Sequence, residues 1–254
     1  MDQNLIISLT VGAFVGAASA YLGSIMVLKR MALVGDAFSH VALPGIGIAL
    51  TYSLNPFLGA FSALALGVLV IWGIERKTSI PTEAVVGLIF AVALAAGILI
   101  TPAPELLEAL FGDISKVKPG DAVLAVTLSA LVFLITSSIK DKLILGLLSS
   151  DLAKAQGIKI DKLNLIFLAM VAVVVALGVK VVGTLLMGAL VIIPAIASKN
   201  FTQNLRSYGI FSAILGLSSA VLGIWLANVF NLPPGPIVVL ASAAIFVASL
   251  IFRK

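Results

Sequence analysis

Apolar stretches long enough to cross a bilayer follow one another almost without interruption along this 254-residue chain. A helix needs about 20 such residues to span the hydrocarbon core, and the sequence offers about nine stretches: 5–28, 36–54, 57–74, 82–100, 121–138, 163–179, 182–198, 208–228 and 236–252. In hydrocarbon every backbone N–H and C=O must find its partner inside the protein, so runs of this length fold as helices. The expected fold is an all-α membrane protein, a polytopic bundle of about nine transmembrane helices with a range of eight to ten. Lys180 sits in the short break between two of the runs, so residues 163–198 are where the number is least determined.

The charges fit the same reading. Only 11% of the residues are charged, against about 25% in a soluble domain, too few to make a water-exposed surface. The net charge of +5 is gathered in short clusters, Lys29-Arg30, Arg76-Lys77, Lys140-Lys142, Lys199-Arg206 and Arg253-Lys254, which recur about once per pair of spans. Cytoplasmic loops collect such residues. With the clusters inside, the N-terminus is expected outside and the C-terminus in the cytoplasm, and no face is basic enough to suggest nucleic acid. The segment Met1-Asp2-Gln3-Asn4 lacks the basic region of a cleavable signal, and the first apolar run is expected to be a retained helix.

Several chemistries are excluded. Cysteine is absent, which removes disulfides, thiolate metal ligands and cysteine nucleophiles, so any metal must be held by nitrogen or oxygen. No G-x-x-x-x-G-K-[ST] loop is present to bind nucleotide phosphates. A zinc protease site of the H-E-x-x-H type needs two histidines, and the chain has one. An enzyme embedded in the membrane is therefore disfavoured, and no permanently bound cofactor is expected.

That single histidine anchors the most informative segment, Lys29 to Gly45, KRMALVGDAFSHVALPG. Asp36 and His40 are four residues apart near the start of the second span, one helical turn apart on one face. Imidazole and carboxylate together suit a divalent transition metal such as zinc, manganese or iron. An acidic group within a membrane helix costs roughly 2.5–3.5 kcal/mol, so it turns toward a protein interior or a water-filled path. Pro44 adds a feature, because it leaves the carbonyl of His40 without its helical donor. The competing reading makes Asp36, six residues after Arg30, a helix cap at the interface with His40 hydrogen-bonded to it.

Other polar and special residues rank below this pair. Pro194 frees the carbonyl of Leu190 in the same way and is a candidate hinge or pathway wall, beside Pro44. Glu83, following Pro81-Thr82, reads as a charge favouring a helix N-terminus. Lys180 is expected to snorkel to the interface. Glu105, Glu108 and Asp113, with Lys116 and Lys118, read as a solvated outward loop over 101–120. Gly12, Gly16, Ala20 and Ser24 form a stripe of small residues expected to serve helix packing alone.

The run Gly35-Asp36-Ala37-Phe38-Ser39-His40-Val41-Ala42-Leu43-Pro44-Gly45, preceded by Leu28-Lys29-Arg30-Met31, closely resembles the signature of the zinc/manganese/iron permease family of ABC importers. Three further segments resemble that family in the same order: Ser150-Asp151-Leu152-Ala153-Lys154-Ala155-Gln156-Gly157-Ile158, then Val182-Gly183-Thr184-Leu185-Leu186 through Pro194-Ala195, then Pro233-Pro234-Gly235-Pro236. The resemblance implies one transmembrane permease domain over 1–254, in a prokaryotic plasma (inner) membrane. A second permease copy, either the same chain or a paralogue, would flank a common pathway. Cytoplasmic ATP-binding subunits would drive it, and an extracellular or periplasmic metal-binding protein would deliver zinc, manganese or iron. The family's metal-passage residues map onto Asp36 and His40.

The same resemblance makes about 149–162 a cytoplasmic segment that docks on the ATPase, with Asp151, Ala153, Ala155, Gly157 and Ile158 as coupling residues. Its composition agrees: it is polar enough to leave the membrane, and its small side chains permit close contact. The plainer reading is a connecting loop. For the whole chain, the alternative is an ion-coupled carrier or channel without an ATPase partner, which would want more buried ionisable groups or paired broken helices.

Overall fold

The computed structural model describes residues 3–78, 80–101, 110, 119–184 and 187–252. The outward loop bearing Glu105, Glu108, Asp113, Lys116 and Lys118 lies outside the described residues, as do Leu185, Leu186 and the side chain of Lys180.

The long apolar runs become helices: α1 (Gln3–Leu28), α2 (Val34–Thr51), α3 (Pro56–Lys77), α4 (Thr82–Ile100) and α5 (Pro119–Leu148). The short α6 (Ser150–Ala155) leads into α7 (Ile160–Val182), α8 (Met187–Ser198), α9 (Leu205–Phe230) and α10 (Pro234–Ser249), with a 3-10 turn at Leu250–Phe252. Among the described residues, eight of these helices are long and apolar enough to cross a membrane. The seventh expected span, 182–198, divides differently, because α7 runs on to Val182 and α8 keeps only 12 residues. At about 1.5 Å per residue, α8 covers little more than half of the hydrocarbon thickness. The break carries Gly183 at φ 84, a conformation that favours glycine.

Helix ends follow local chemistry. Asn55 caps α3 by accepting the Phe57 N–H at 2.9 Å, with Pro56 in the first helical position. Asn204 caps α9 by accepting the Ser207 N–H at 2.8 Å. The α1–α2 turn closes with the Met31 N–H donating to the Met26 carbonyl at 2.9 Å and the Arg30 N–H to the Val27 carbonyl at 3.2 Å. That double closure puts Arg30 at φ 59 and reverses the chain tightly.

Lipid tails are as apolar as the side chains, so helices associate here through close van der Waals contact. The small-residue stripe of α1 supplies it. Gly12 lies against Ile224, a Cβ on Gly16 would stand 2.6 Å from the Gly216 carbonyl oxygen, and Ser24 is beside Gly209, so the whole stripe meets α9. The packing role expected of the stripe accounts for it fully.

The α1–α2 turn with Lys29-Arg30, the end of α3 and the starts of α4 and α7 meet at one end of the bundle. The Lys29 ammonium donates to Asn164 Oδ1 at 2.7 Å, joining the α1–α2 turn to the start of α7. Glu75 at the end of α3 and Glu83 at the start of α4 border the same cavity. This agrees with the charge-based placement of these turns on one side.

Candidate functional site

Asp36 is the third residue of α2, whose N-cap Leu33 provides no side-chain hydrogen bond. The helix that follows is the most enclosed of the candidate spans, with 67% of its window buried. Neighbours press on it through residues lacking bulk. From α8, a Cβ on Gly188 would fall 2.6 Å from Asp36 Cβ and 2.9 Å from its Oδ1. From α4, a Cβ on Gly97 would lie 2.8 Å from Leu43 Cβ and 3.4 Å from Pro44 Cδ. Two elements thus approach α2 closely where the notable residues lie.

Asp36 is half-buried and borders a cavity of about 220 Å³ formed with Leu33, Val34, Ala37, Glu83, Val86, Gly87 and Phe90. His40 is 8% exposed. Its ring meets Phe90 edge-on, with centroids 5.3 Å apart, and its Nδ1 has no hydrogen-bond partner. A buried polar atom left without a partner costs free energy, so the imidazole is poised for a ligand. Ser39 is occupied locally, its hydroxyl donating to the Asp36 carbonyl at 2.6 Å.

Asp36 and His40 alone make less than a coordination shell. Among the described residues, no group of three or more His, Asp or Glu side chains is placed to hold a metal ion. One helix face supplies an imidazole and a carboxylate, and the remaining ligands of a passing ion would have to be water, carbonyl oxygens or groups from another chain.

Pro44 and Pro194 are both inside helices, as expected, but neither borders the Asp36 cavity. Pro194 lies toward the other end of α8, near Ser198, whose hydroxyl donates to the Tyr208 carbonyl at 2.9 Å.

Glu83 is the residue whose position the sequence undersold. It occupies the first turn of α4, as a capping charge would, yet it also faces the Asp36 cavity. Glu75, Lys29 and Gly188 had no readable signal either, the first two because they look like ordinary interfacial charges beside basic clusters. Burial pushes the Lys29 ammonium below the usual lysine range, with the Glu75 carboxylate pulling the other way. The Lys29 ammonium also rests 5.4 Å from the Phe167 ring centroid.

In the 149–162 segment, Ser149 accepts the Leu152 N–H at 3.2 Å and caps α6. Gly157 at φ 73 ends it, with the Ile158 N–H donating to the Ala153 carbonyl at 3.0 Å and the Gly157 N–H to the Lys154 carbonyl at 2.9 Å. Asp151, Leu152, Ala155 and Gly157 are exposed and Ile158 is half-buried. Ala153 is fully buried and anchors the segment to the bundle, so its small side chain serves the inner face.

Comparison with known proteins adds the following. The model of the ABC 3 transport family matches residues 1–253. The manganese import system permease protein ScaB of Streptococcus gordonii is 30% identical over 253 residues, spanning 98% of this chain and 90% of its own length. The high-affinity zinc uptake system membrane protein ZnuB of Haemophilus influenzae is 29% identical over 265 residues, spanning 100% of this chain and 99% of its own. Among solved structures, PsaBC from Streptococcus pneumoniae in complex with Fab superposes with a TM-score of 0.87 at 26% identity, over 100% of this chain and 93% of that one.

Proposed function

The chain belongs to the ABC 3 transport family, and from that premise we propose that it is the membrane-spanning permease subunit of an ATP-driven importer for manganese or zinc. Iron is a third candidate, because a nitrogen and oxygen site accepts all three and selection among them follows geometry and availability. Its place is the plasma membrane of a prokaryotic cell, as a multi-pass protein. ATP hydrolysis belongs to separate cytoplasmic subunits, an external binding protein delivers the cation, and a second permease copy completes the pathway.

One observation carries the cargo assignment. His40 is buried with an unpartnered Nδ1, on the same helix face as an acidic residue that borders a cavity. A cation entering there trades part of its water shell for imidazole and carboxylate, which offsets the cost of leaving bulk water. The Pro44 ring removes a donor from the His40 carbonyl, giving the ion another oxygen on the same helix. For the power stroke, the exposed Asp151, Leu152 and Ala155 on a capped, rigid helix offer an ATPase something firm to push.

The test is uptake of manganese(II) and zinc(II) into proteoliposomes holding the permease with its ATPase subunits and binding protein. Asp36→Ala and His40→Ala are each expected to abolish uptake and the cation-stimulated part of ATP hydrolysis, leaving assembly intact. Wild-type uptake in both variants would remove the metal role. A carrier working without an ATPase is the other class, and a native complex purified free of any ATP-binding subunit would favour it.

A further inference from the structure

Two cavities at the basic end of the bundle meet at one carboxylate. The first is the space of about 220 Å³ bordered by Asp36 and Phe90. The second, about 240 Å³, lies between the α1–α2 turn, the end of α3 and the starts of α4 and α7, bordered by Lys29, Glu75 and Asn164. Glu83, an exposed residue, borders both, and among the described residues no other does.

Each side of Glu83 holds a polar group without a partner. On the first side, Phe90 borders the cavity, and behind it, not bordering the cavity itself, His40 packs edge-on against that ring, more than nine-tenths buried with Nδ1 unpartnered. On the second, Glu75 Oε1 is buried and accepts no hydrogen bond. Lys29, which borders the same cavity, gives its hydrogen bond to Asn164 Oδ1 at 2.7 Å.

We propose that Glu83 is a second cation-binding residue of the pathway, taking the transported divalent cation from Asp36 and passing it to the Glu75 cavity. This rests on the transport reading above. A divalent ion leaving Asp36 moves on readily where ligands recur at short intervals with no single site binding too well. Glu83 supplies the intermediate carboxylate. Beyond it, Lys29 and Arg30 repel the arriving ion, which shortens its stay beside Glu75 and favours release from that end.

A carboxylate in the first turn of α4 is also favoured by the helix dipole, so the experiment must separate the two roles. In the complete complex, with manganese(II) as probe and zinc(II) as a second arm, Glu83→Gln is expected to lower uptake about tenfold or more, the loss of one charge-assisted contact. Its thermal unfolding temperature and cation-free ATP hydrolysis should stay at wild-type values, and Glu83→Asp should recover most of the uptake.

Wild-type uptake by Glu83→Gln, with Asp36→Ala inactive, overturns the relay and leaves the transport reading standing. Wild-type uptake by both brings down the parent reading as well. A loss that follows a fall in unfolding temperature and is equal in the Gln and Asp variants overturns the relay in favour of capping. Should Glu83→Gln fail to accumulate, Glu75→Gln carries the test: slowed uptake with equilibrium cation binding retained supports the relay, and wild-type uptake overturns it.

Discussion

The start of α2 and the Ser149–Ile158 segment are built on opposite plans. Around Asp36 and His40, neighbouring helices close in from several sides and polar atoms are left without partners. Around α6, the backbone ends are satisfied by Ser149 and Gly157, and the helix stands largely in the open. The first region is shaped to receive something that completes its hydrogen bonds and charge. The second is already complete, and its exposed Leu152 is what a partner would cover. On the proposed function, the incomplete, enclosed region is the cargo site and the complete, exposed one is the handle.

The largest break in that contrast should come from Gly188, which touches the enclosed region without any chemistry of its own. A Cβ there stands 2.6 Å from Asp36 Cβ, so Gly188→Val must move either α8 or Asp36. A displacement of about 1 Å at a positioning contact can cost roughly 100-fold in rate, and overpacking costs about 1–3 kcal/mol of stability. We expect uptake to fall by about that factor while the complex still assembles, measured as cation flux per transporter. Near-normal flux would mean that Asp36 tolerates wide displacement.

On the handle, Leu152→Asp should leave stability unchanged, because the side chain is 50% exposed and nothing inside the chain needs it. Its effect should appear only in the complex, where an apolar anchor at an interface centre is worth about 2 kcal/mol or more, a loss of about 30-fold in ATPase affinity. Binding of the ATP-binding subunits to detergent-solubilised permease measures it. Equal affinity would show that the partner grips another surface.

How far the sequence disclosed this contrast differs between the two regions. Asp36 and His40 are legible because residues this costly in an apolar run need a reason, and the i to i+4 spacing is fixed by helix geometry. The handle was legible in outline, but not that Ala153 turns inward, since a six-residue helix carries too little pattern to orient itself. Glu83 was legible as a charge in the first turn of α4, but not as a neighbour of the Asp36 cavity, because that depends on how α4 crosses α2, a tertiary fact with no local periodicity. Gly188 was invisible for the same reason. The length of the seventh span, 182–198, was obscured because hydropathy continues smoothly through residues whose backbone breaks at Gly183.

A smaller effect separates backbone geometry from contact within the handle itself. Gly157→Ala puts a side chain on a residue at φ 73, where the space is open but the conformation is strained. The cost should be about 1 kcal/mol, confined to the segment. Transport should fall only a few-fold, about what that energy permits, and the fall should match the faster amide exchange of residues 150–158. A loss as large as that of Leu152→Asp would instead mean that Gly157 lies in the contact with the ATPase.

The smallest expected change tests whether the handle's completeness matters at all. Ser149 accepts the Leu152 N–H at 3.2 Å, a long bond, and loss of such a cap typically costs about 1 kcal/mol, with peptide values near 0.5. The helix behind it has only six residues, too short to persist unless its ends are held. Ser149→Ala should therefore raise amide exchange at Leu152 and lower coupled transport slightly, while Ser149→Asp, which caps equally well and adds a favourable charge at the helix start, should match the wild type in both. If Ala and Asp behave alike, α6 is held by the burial of Ala153 against the bundle and owes nothing to its own cap.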